Sequence, residues 1–148
     1  MTPQTLFALL AIATGGACIA VQAPINSRLG SHVGDPVTAA AISFIVGALV
    51  LSALVILRGA VPTGAQMAAA PWWAWIGGAL GAVYVWAAVW SVSTLGVVTL
   101  VAALIFGQLA AALVLDAVGA FGLQTREISW TRIGAIVLVA AGLVLSRV

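Results

Sequence analysis

Charged side chains are scarce in this sequence, and lysine is missing altogether. Only 5% of its 148 residues are charged, in the form of five arginines and three acids, whereas an ordinary soluble domain carries roughly 25% charged residues. So few charges cannot cover the surface of a water-soluble domain. The arginines also lie far apart along the chain, so they form no basic patch of the kind that binds nucleic acid.

Residues that bind metals or perform catalysis are equally rare. The sequence has one histidine, His32, and one cysteine, Cys18, so it lacks the clustered histidine and cysteine ligands of a metal site. A lone cysteine closes no disulfide within the chain. No nucleophile has a base at a recognisable spacing. We therefore predict a protein that is not an enzyme and that uses neither a metal nor a cofactor.

Long apolar runs dominate the sequence instead. Apolar residues make up 64% of it, and its mean hydropathy is +1.27. Five runs approach the ~20 residues that an α-helix needs to cross the hydrocarbon of a bilayer, and none alternates apolar with polar positions as barrel strands do. We predict an all-α membrane protein, residues 1–148, with a single domain of five transmembrane helices at about residues 6–26, 36–57, 72–90, 97–117 and 130–147.

Turn-forming residues separate these runs. Asp35 and Pro36 are suited to the N-cap and the first position of the second helix. The other connections are predicted at residues 58–71, 91–96 and 119–129. The fifth run is the weakest, because Arg132 lies near its start. It crosses the bilayer only if Trp130 and Arg132 lie at the level of the headgroups.

Arginines are distributed almost evenly between the two predicted sides of the membrane. Five crossings put Arg58, Arg126 and Arg132 on the side of the N-terminus, and Arg28 and Arg147 on the other. An excess of cytoplasmic cations sets the orientation of a membrane protein, and here that excess is very small. Three interpretations stay open: insertion in both orientations with pairing of inverted copies, a weak bias aided by a partner, or one orientation set by the bias alone.

Two side-chain amides lie one helical turn apart in the first predicted helix. Gln22 and Asn26 extend a polar stripe from Thr14 and Cys18 along one face. An amide without a hydrogen-bond partner is costly in hydrocarbon, so this face must meet another helix or a wet cavity. Gln22 is predicted to bond either to a helix or to a substrate. For Asn26, near the predicted membrane boundary, capping of the helix or bonding to the loop is the alternative to substrate contact.

Further polar and aromatic residues follow in the later helices. Gln108, near the middle of the fourth, has the same two interpretations as Gln22. Tryptophans near both ends of the third predict an aromatic belt, whereas Tyr84 lies deeper, where it either packs or stacks on a substrate. Small residues are predicted to permit close approach of helices; they are Gly47, Gly77, Gly81 and Gly107.

Asp116 is the only acid close to a predicted span. It falls within about a turn of the membrane boundary, on the side of Arg132. An ion pair between Asp116 and Arg132, or solvation among the headgroups, is one interpretation. Binding of a cation or proton by a buried carboxylate is the other.

Several short motifs occur along the chain in a specific order: Gln22 with Asn26, Arg28-Leu29-Gly30, Ala41-Ile42-Ser43-Phe44 to Gly47, Trp73 with Gly77-Gly78-Ala79-Leu80-Gly81, Gly107-Gln108, Asp116 to Gly119, and Arg132-Ile133-Gly134. Together these motifs resemble the YdcZ family, the five-helix branch of the drug/metabolite transporter superfamily. The resemblance covers essentially the whole chain. It departs from the family pattern at Ala117, where histidine is common, and at residues 124–127, which lack the usual proline.

The resemblance implies a half-size transporter of the cytoplasmic (inner) membrane. Members of the family act as pairs of oppositely oriented chains, so an inverted copy or a close paralogue is the expected partner, beside membrane lipids and a small-molecule substrate. The positions that match the family pattern are Gln22, Asn26, Ser43, Gly47, Gly107, Gln108, Asp116 and Arg132.

Residues and resemblance together predict an exporter subunit that moves a small organic metabolite or drug-like compound by alternating access as an antiparallel dimer. The chain has no glutamate within a span, which favours neutral, zwitterionic or amphipathic substrates over strongly cationic ones. A component of a lipid-linked flippase and a non-transporting assembly subunit are the alternatives. The predicted substrate contacts are Gln22, Asn26, Ser43, Trp73, Tyr84 and Gln108.

Overall fold

The computed structural model describes residues 2–148, and these residues form helices and no strand. Three stretches are long and apolar enough to cross a membrane, and a fourth helix is apolar but shorter. The predicted all-helical membrane fold is therefore confirmed. The α-helices are α1 (Pro3–Val33), α2 (Pro36–Leu57), α3 (Gly64–Ala68), α4 (Gly77–Val118) and α5 (Trp130–Leu145), and short 3-10 helices lie at Trp72–Ile76 and Ala120–Gly122.

The start of α2 lies where the sequence predicts it. The hydroxyl and the backbone N–H of Thr38 both donate to Asp35 Oδ2, at 2.7 Å each, so Asp35 is the N-cap. These hydrogen bonds, that of the hydroxyl first, stabilise the carboxylate and hold the pKa of Asp35 below its ordinary value. The contribution of this cap to stability is therefore present near neutral pH and is lost as the pH falls through that lowered pKa.

The first helix is longer than the sequence predicts. It continues past residue 26 to Val33, where Gly34 ends it with φ 82° and donates its N–H to the carbonyl of Gly30 at 2.9 Å. Pro24 lies inside the helix and does not end it, although a proline removes one backbone hydrogen bond. Asn26 is thus an interior helical residue, and the interpretation in which it caps the helix is wrong.

A single residue replaces the predicted turn at residues 91–96. The chain is helical on both sides of Gly96, and Gly96 alone departs, with φ 73° and ψ 165°. Only glycine adopts this conformation readily. Helix α4 therefore contains two helical stretches, residues 77–95 and 97–118, which correspond to the third and fourth predicted spans. The third predicted span opens with a 3-10 helix, and α5 ends two residues before the fifth was predicted to end.

Contacts within the chain form two units, one up to Ser93 and one from Thr94 to Val148. In the first unit α1 packs against α2, and Gly30 permits that contact. A Cβ atom at Gly30 would lie 3.4 Å from Val89 Cγ1 and 3.6 Å from Ala39 Cβ. The buried core of this unit consists of Ala39, Ala40, Val85 and Val89, with Leu29 and Tyr84 packed against it.

The second unit is a pair of antiparallel helices joined at both ends by polar contacts. At one end Thr99 Oγ1 donates to the carbonyl of Ser146 at 3.1 Å, and Ser146 Oγ donates to Thr99 Oγ1 at 3.2 Å. At the other end Arg132 donates to Asp116. Gly119, with φ 63°, ends α4, and a Cβ atom there would lie only 2.7 Å from Thr125 Cγ2.

Most large apolar side chains lie on the surface of the chain. Phe7 is 75% exposed, Val98 74% and Leu138 73%. A soluble monomer rarely exposes apolar patches this extensive, whereas the hydrocarbon of a bilayer requires them. The exposed surface is therefore the surface expected to meet lipid or another membrane protein.

The conformation of Gly96 generates a stability prediction. Gly96→Ala places a Cβ in a region that costs of order 1–3 kcal/mol for other residues, so it should lower the thermal unfolding temperature of the purified protein. Gly78→Ala is the matched control, because Gly78 is helical with open space around it, and alanine should be neutral or stabilise by up to ~1 kcal/mol. Equal stability of the two variants would contradict the role of Gly96.

Candidate functional site

The first unit contains an open groove between α1, α2 and the first stretch of α4. Its volume is about 390 Å³, within the ~300–1,000 Å³ typical of small-molecule sites. We call it the N-terminal groove. It is lined by Ile19, Gln22, Ser43, Phe44, Gly47, Ala48, Leu51, Tyr84 and Val85.

Ser43 is the centre of the polar contacts at this groove. Its Oγ accepts hydrogen bonds from Asn26 Nδ2 at 3.1 Å and from Gln22 Nε2 at 3.4 Å. Asn26 is 5% exposed, so its amide depends on this partner. Both bonds use Ser43 as an acceptor, which leaves the hydroxyl hydrogen free to donate to a ligand. The two amides therefore tie α1 to α2 and orient a polar patch on the wall of the groove.

The remaining walls are apolar and aromatic. Phe44 lies against α4, where a Cβ at Gly81 would come within 3.3 Å of Phe44 Cζ, so the glycine permits the ring to approach the helix. Tyr84 and Gly47 line the groove as well. Among the described residues, no charged side chain lines the groove. This composition is suited to holding an organic molecule by apolar contact and a few hydrogen bonds.

Not all predicted site residues come together. Trp73 is exposed and does not line the N-terminal groove. Gln108 belongs to the second unit, its side chain is exposed, and it forms no hydrogen bond within residues 2–148. A Cβ at Gly47, Gly77 or Gly107 would meet nothing within 4 Å. The close packing predicted at the four glycines is therefore seen within this chain at Gly81 only.

The predicted polar stripe on α1 is divided between two environments. Gln22 lines both the N-terminal groove and a second depression of about 410 Å³, all of whose walls come from α1. This depression, which we call the outer face of α1, also includes Thr14 and Cys18. Thr14 bonds back to the carbonyl of Leu10 at 2.9 Å, so its hydroxyl is satisfied by its own helix. No other part of the described chain covers the outer face.

The second unit holds a separate charged site. Arg132 Nη2 donates to Asp116 Oδ2, and the side chains are 32% and 27% exposed. The other terminal nitrogen, Nη1, is buried and has no partner among the described residues. Leaving a buried donor unpaired costs ~1–3 kcal/mol, and more when it is charged. The pair borders a cavity of about 130 Å³ between α4 and α5. Among residues 2–148, no three acidic, histidine or cysteine side chains are grouped as metal ligands.

Sequence reasoning overlooked the apolar walls of the groove and one polar contact. Ile19, Phe44 and Leu51 line the groove, and helical spacing could have found them, since Ile19 precedes Gln22 by three residues and Leu51 follows Ser43 by eight. The contact between Thr99 and Ser146 had no such signal. It joins residues that are far apart in the sequence.

Comparison with known proteins places the chain among membrane exporters. Residues 6–145 match the family model described as "Putative inner membrane exporter, YdcZ". The inner membrane protein YdcZ of Escherichia coli (strain K12) is 28% identical to it over 144 residues, which cover 97% of this chain and 95% of that protein. No solved structure matches the chain.

Ser43→Ala tests the polar centre of the groove. The change removes the acceptor of two amides and leaves Asn26 buried without a partner, so the free energy of unfolding should fall by ~1–3 kcal/mol. Ser52→Ala is the matched control, because Ser52 lies on the same helix, exposed and away from the groove; it should change stability by less than ~0.5 kcal/mol. Thermal unfolding in detergent compares them, and equal midpoints would show that the amides do not depend on Ser43.

Proposed function

Because the chain belongs to the YdcZ family of inner membrane exporters, we propose that it is a transporter subunit that carries a small organic metabolite or drug-like compound across the cytoplasmic membrane. The observation that carries this proposal is the N-terminal groove. It combines the volume of a small-molecule site with apolar walls and three polar groups, from Gln22, Ser43 and Tyr84, on three different helices. Ligand sites typically have this composition.

The chemistry of the groove favours a substrate without net charge. No charged residue of the described chain lines it, and a charge brought into an apolar site without a partner is costly. Gln22 and Ser43 supply donors and an acceptor for a polar group of the substrate. Tyr84 offers a ring face for stacking. Neutral, zwitterionic or amphipathic compounds fit these walls better than strongly cationic ones.

The subunit works as an antiparallel dimer in this proposal. Two features of the described chain support a partner. The side chain of Gln108 is exposed and forms no hydrogen bond within residues 2–148, and the outer face of α1, which includes Cys18, is lined by that helix alone. An amide facing hydrocarbon is unfavourable, so a second chain or a substrate in these places would lower the free energy. The nearly even distribution of arginines removes the usual barrier to insertion in both orientations.

Alternating access between inverted copies accounts for the odd number of predicted spans. Transporters often place the binding site near the midplane, between repeats of opposite orientation. A chain of five spans has its termini on opposite sides, so it supplies one repeat only. In the proposed dimer each N-terminal groove is one wall of a shared pathway, and rocking of the two copies exposes it to either side in turn.

Transport tests the groove directly. Neutral and zwitterionic metabolites are first screened for those that raise the thermal unfolding temperature of the purified protein. Radiolabelled forms of these compounds are then used to measure counterflow in liposomes. Gln22→Leu should lower the flux at least about tenfold. The substrate loses one hydrogen bond, worth ~0.5–1.5 kcal/mol, and it is also held less well in its position for transport. Ser52→Ala should transport as the parent does. Parent-like flux by a folded Gln22→Leu variant would remove Gln22 from the pathway.

Labelling of single cysteines tests the orientation. In a Cys18→Ala background, Ala60→Cys and Val148→Cys place a thiol on opposite predicted sides without changing the arginines. Each thiol should react with an impermeant maleimide partly from outside intact cells and partly only after permeabilisation. Exclusive labelling of one position from outside and of the other from inside would exclude the inverted homodimer. In that case an inverted dimer would form only with a close paralogue as the second chain.

A further inference from the structure

The cavity beside the ion pair is a second, partly open site, distinct from the N-terminal groove. It lies between residues 109–116 of α4 and residues 132–136 of α5, and it shares no residue with the groove. Its 130 Å³ is far more than the ~10–15 Å³ that one water molecule requires. A molecule of a few non-hydrogen atoms therefore fits. We call this space the C-terminal cavity.

The charged wall of this cavity is only half used by the protein. An arginine can form two parallel hydrogen bonds with a carboxylate, but here Arg132 Nη2 alone bonds to Asp116, through Oδ2. Arg132 Nη1 is buried without a partner, and the Oδ1 oxygen of Asp116 lies outside the pair. One strong donor and one strong acceptor of the pair are thus left without a partner among the described residues. The rest of the wall is apolar, with Leu109, Leu113 and Ile136 as its larger members.

The balance of charge at the site selects its ligand. Asp116 and Arg132 together carry no net charge. An anion that bonds to Arg132 also meets the carboxylate, and a cation that bonds to Asp116 also meets the guanidinium. In both cases like charges repel each other. A ligand that carries both charges avoids this repulsion. The nearest loop adds no net charge either, because Arg126 and Glu127 are adjacent, opposite and exposed.

We propose that the C-terminal cavity binds a small zwitterion of the α-amino acid class. The carboxylate of the ligand accepts from Arg132 Nη1, its ammonium group donates to Asp116 Oδ1, and a short alkyl side chain lies against the apolar walls. This arrangement pairs the buried donor and keeps the site neutral. The binding does not depend on transport through the N-terminal groove, and its failure would leave that proposal standing.

Three related probes separate the charges of the ligand. Tritiated L-alanine is bound to the full-length protein in lipid nanodiscs, and unlabelled L-alanine, propionate and ethylamine compete. Propionate is alanine without its ammonium group, and ethylamine is alanine without its carboxylate. We expect each to compete at least about tenfold less well than L-alanine, since each lacks one charged hydrogen bond. Absence of alanine binding, or equal competition by propionate, would overturn the proposal.

Substitutions at the pair should invert this selectivity. Asp116→Asn leaves Arg132 without its counter-charge, so propionate should then compete better than L-alanine; Arg132→Gln should favour ethylamine in the same way. Because removal of one partner can destabilise a partly buried pair, the double variant Asp116→Asn with Arg132→Gln provides a comparison without charge, and its thermal unfolding checks that it is folded. It should bind L-alanine about tenfold or more weakly.

Two controls locate the bound alanine. Arg126→Gln removes an exposed arginine of the neighbouring loop and should bind L-alanine as the parent does. Ser43→Ala, in the N-terminal groove, should also retain binding even where flux is lost. Unchanged binding by the double variant, or loss of binding in Ser43→Ala with its fold intact, would assign alanine to another site and overturn the proposal.

Discussion

The structure depends on one constraint: a polar group inside a bilayer must find a hydrogen-bond partner within the protein. Nearly every surface of this chain is apolar, so its few polar side chains decide which helices stay together. Ser43 accepts from Gln22 and Asn26 and thereby joins α1 to α2. Because helices in lipid are not driven together by the hydrophobic effect, their association depends on specific contacts. In this unit those contacts are the hydrogen bonds to Ser43 and the close approach at Gly30.

The same constraint organises the C-terminal unit. Thr99 and Ser146 join one end of the antiparallel pair, and Asp116 and Arg132 join the other. Between these ends the contacts are apolar and leave a cavity. Polar ends with an apolar middle fix the register of the two helices. The charged end is incompletely paired, which is the property that makes it a candidate binding site rather than only a structural contact.

Much of the fold follows from local signals in the sequence. Apolar runs of membrane-spanning length and the Asp35-Pro36 start of α2 determine the main helices, and the structure has them where these signals predict. Other features depend on contacts between distant residues. Helix α1 is longer than the local pattern predicts, because it continues past Pro24 and ends only at Gly34. The break in α4 is a single residue, Gly96, because glycine adopts a positive φ that is strained for other residues.

The candidate sites likewise combine features that local sequence predicts with features that depend on contacts between distant residues. Helical spacing placed Gln22 and Asn26 on one face, but which residue they bond to depends on how α2 packs against α1. The apolar walls around Phe44 and Tyr84 arise from three helices at once, and no local pattern specifies them. The sequence predicts that the amide of Gln108 needs a partner, and this chain provides none within its described residues. The account therefore assigns its partner to a second copy or to a ligand.

Dimerisation in a lipid bilayer tests that assignment most directly. Single-molecule photobleaching of fluorescently labelled protein, reconstituted over a range of protein-to-lipid ratios, gives the fraction of dimers at each ratio. The account predicts a dimer for the parent and a dimer about tenfold weaker for Gln108→Leu, since one interhelical hydrogen bond between membrane helices is worth ~0.6–2 kcal/mol. A parent that stays monomeric at every ratio, or a Gln108→Leu variant that dimerises as the parent does, would contradict it.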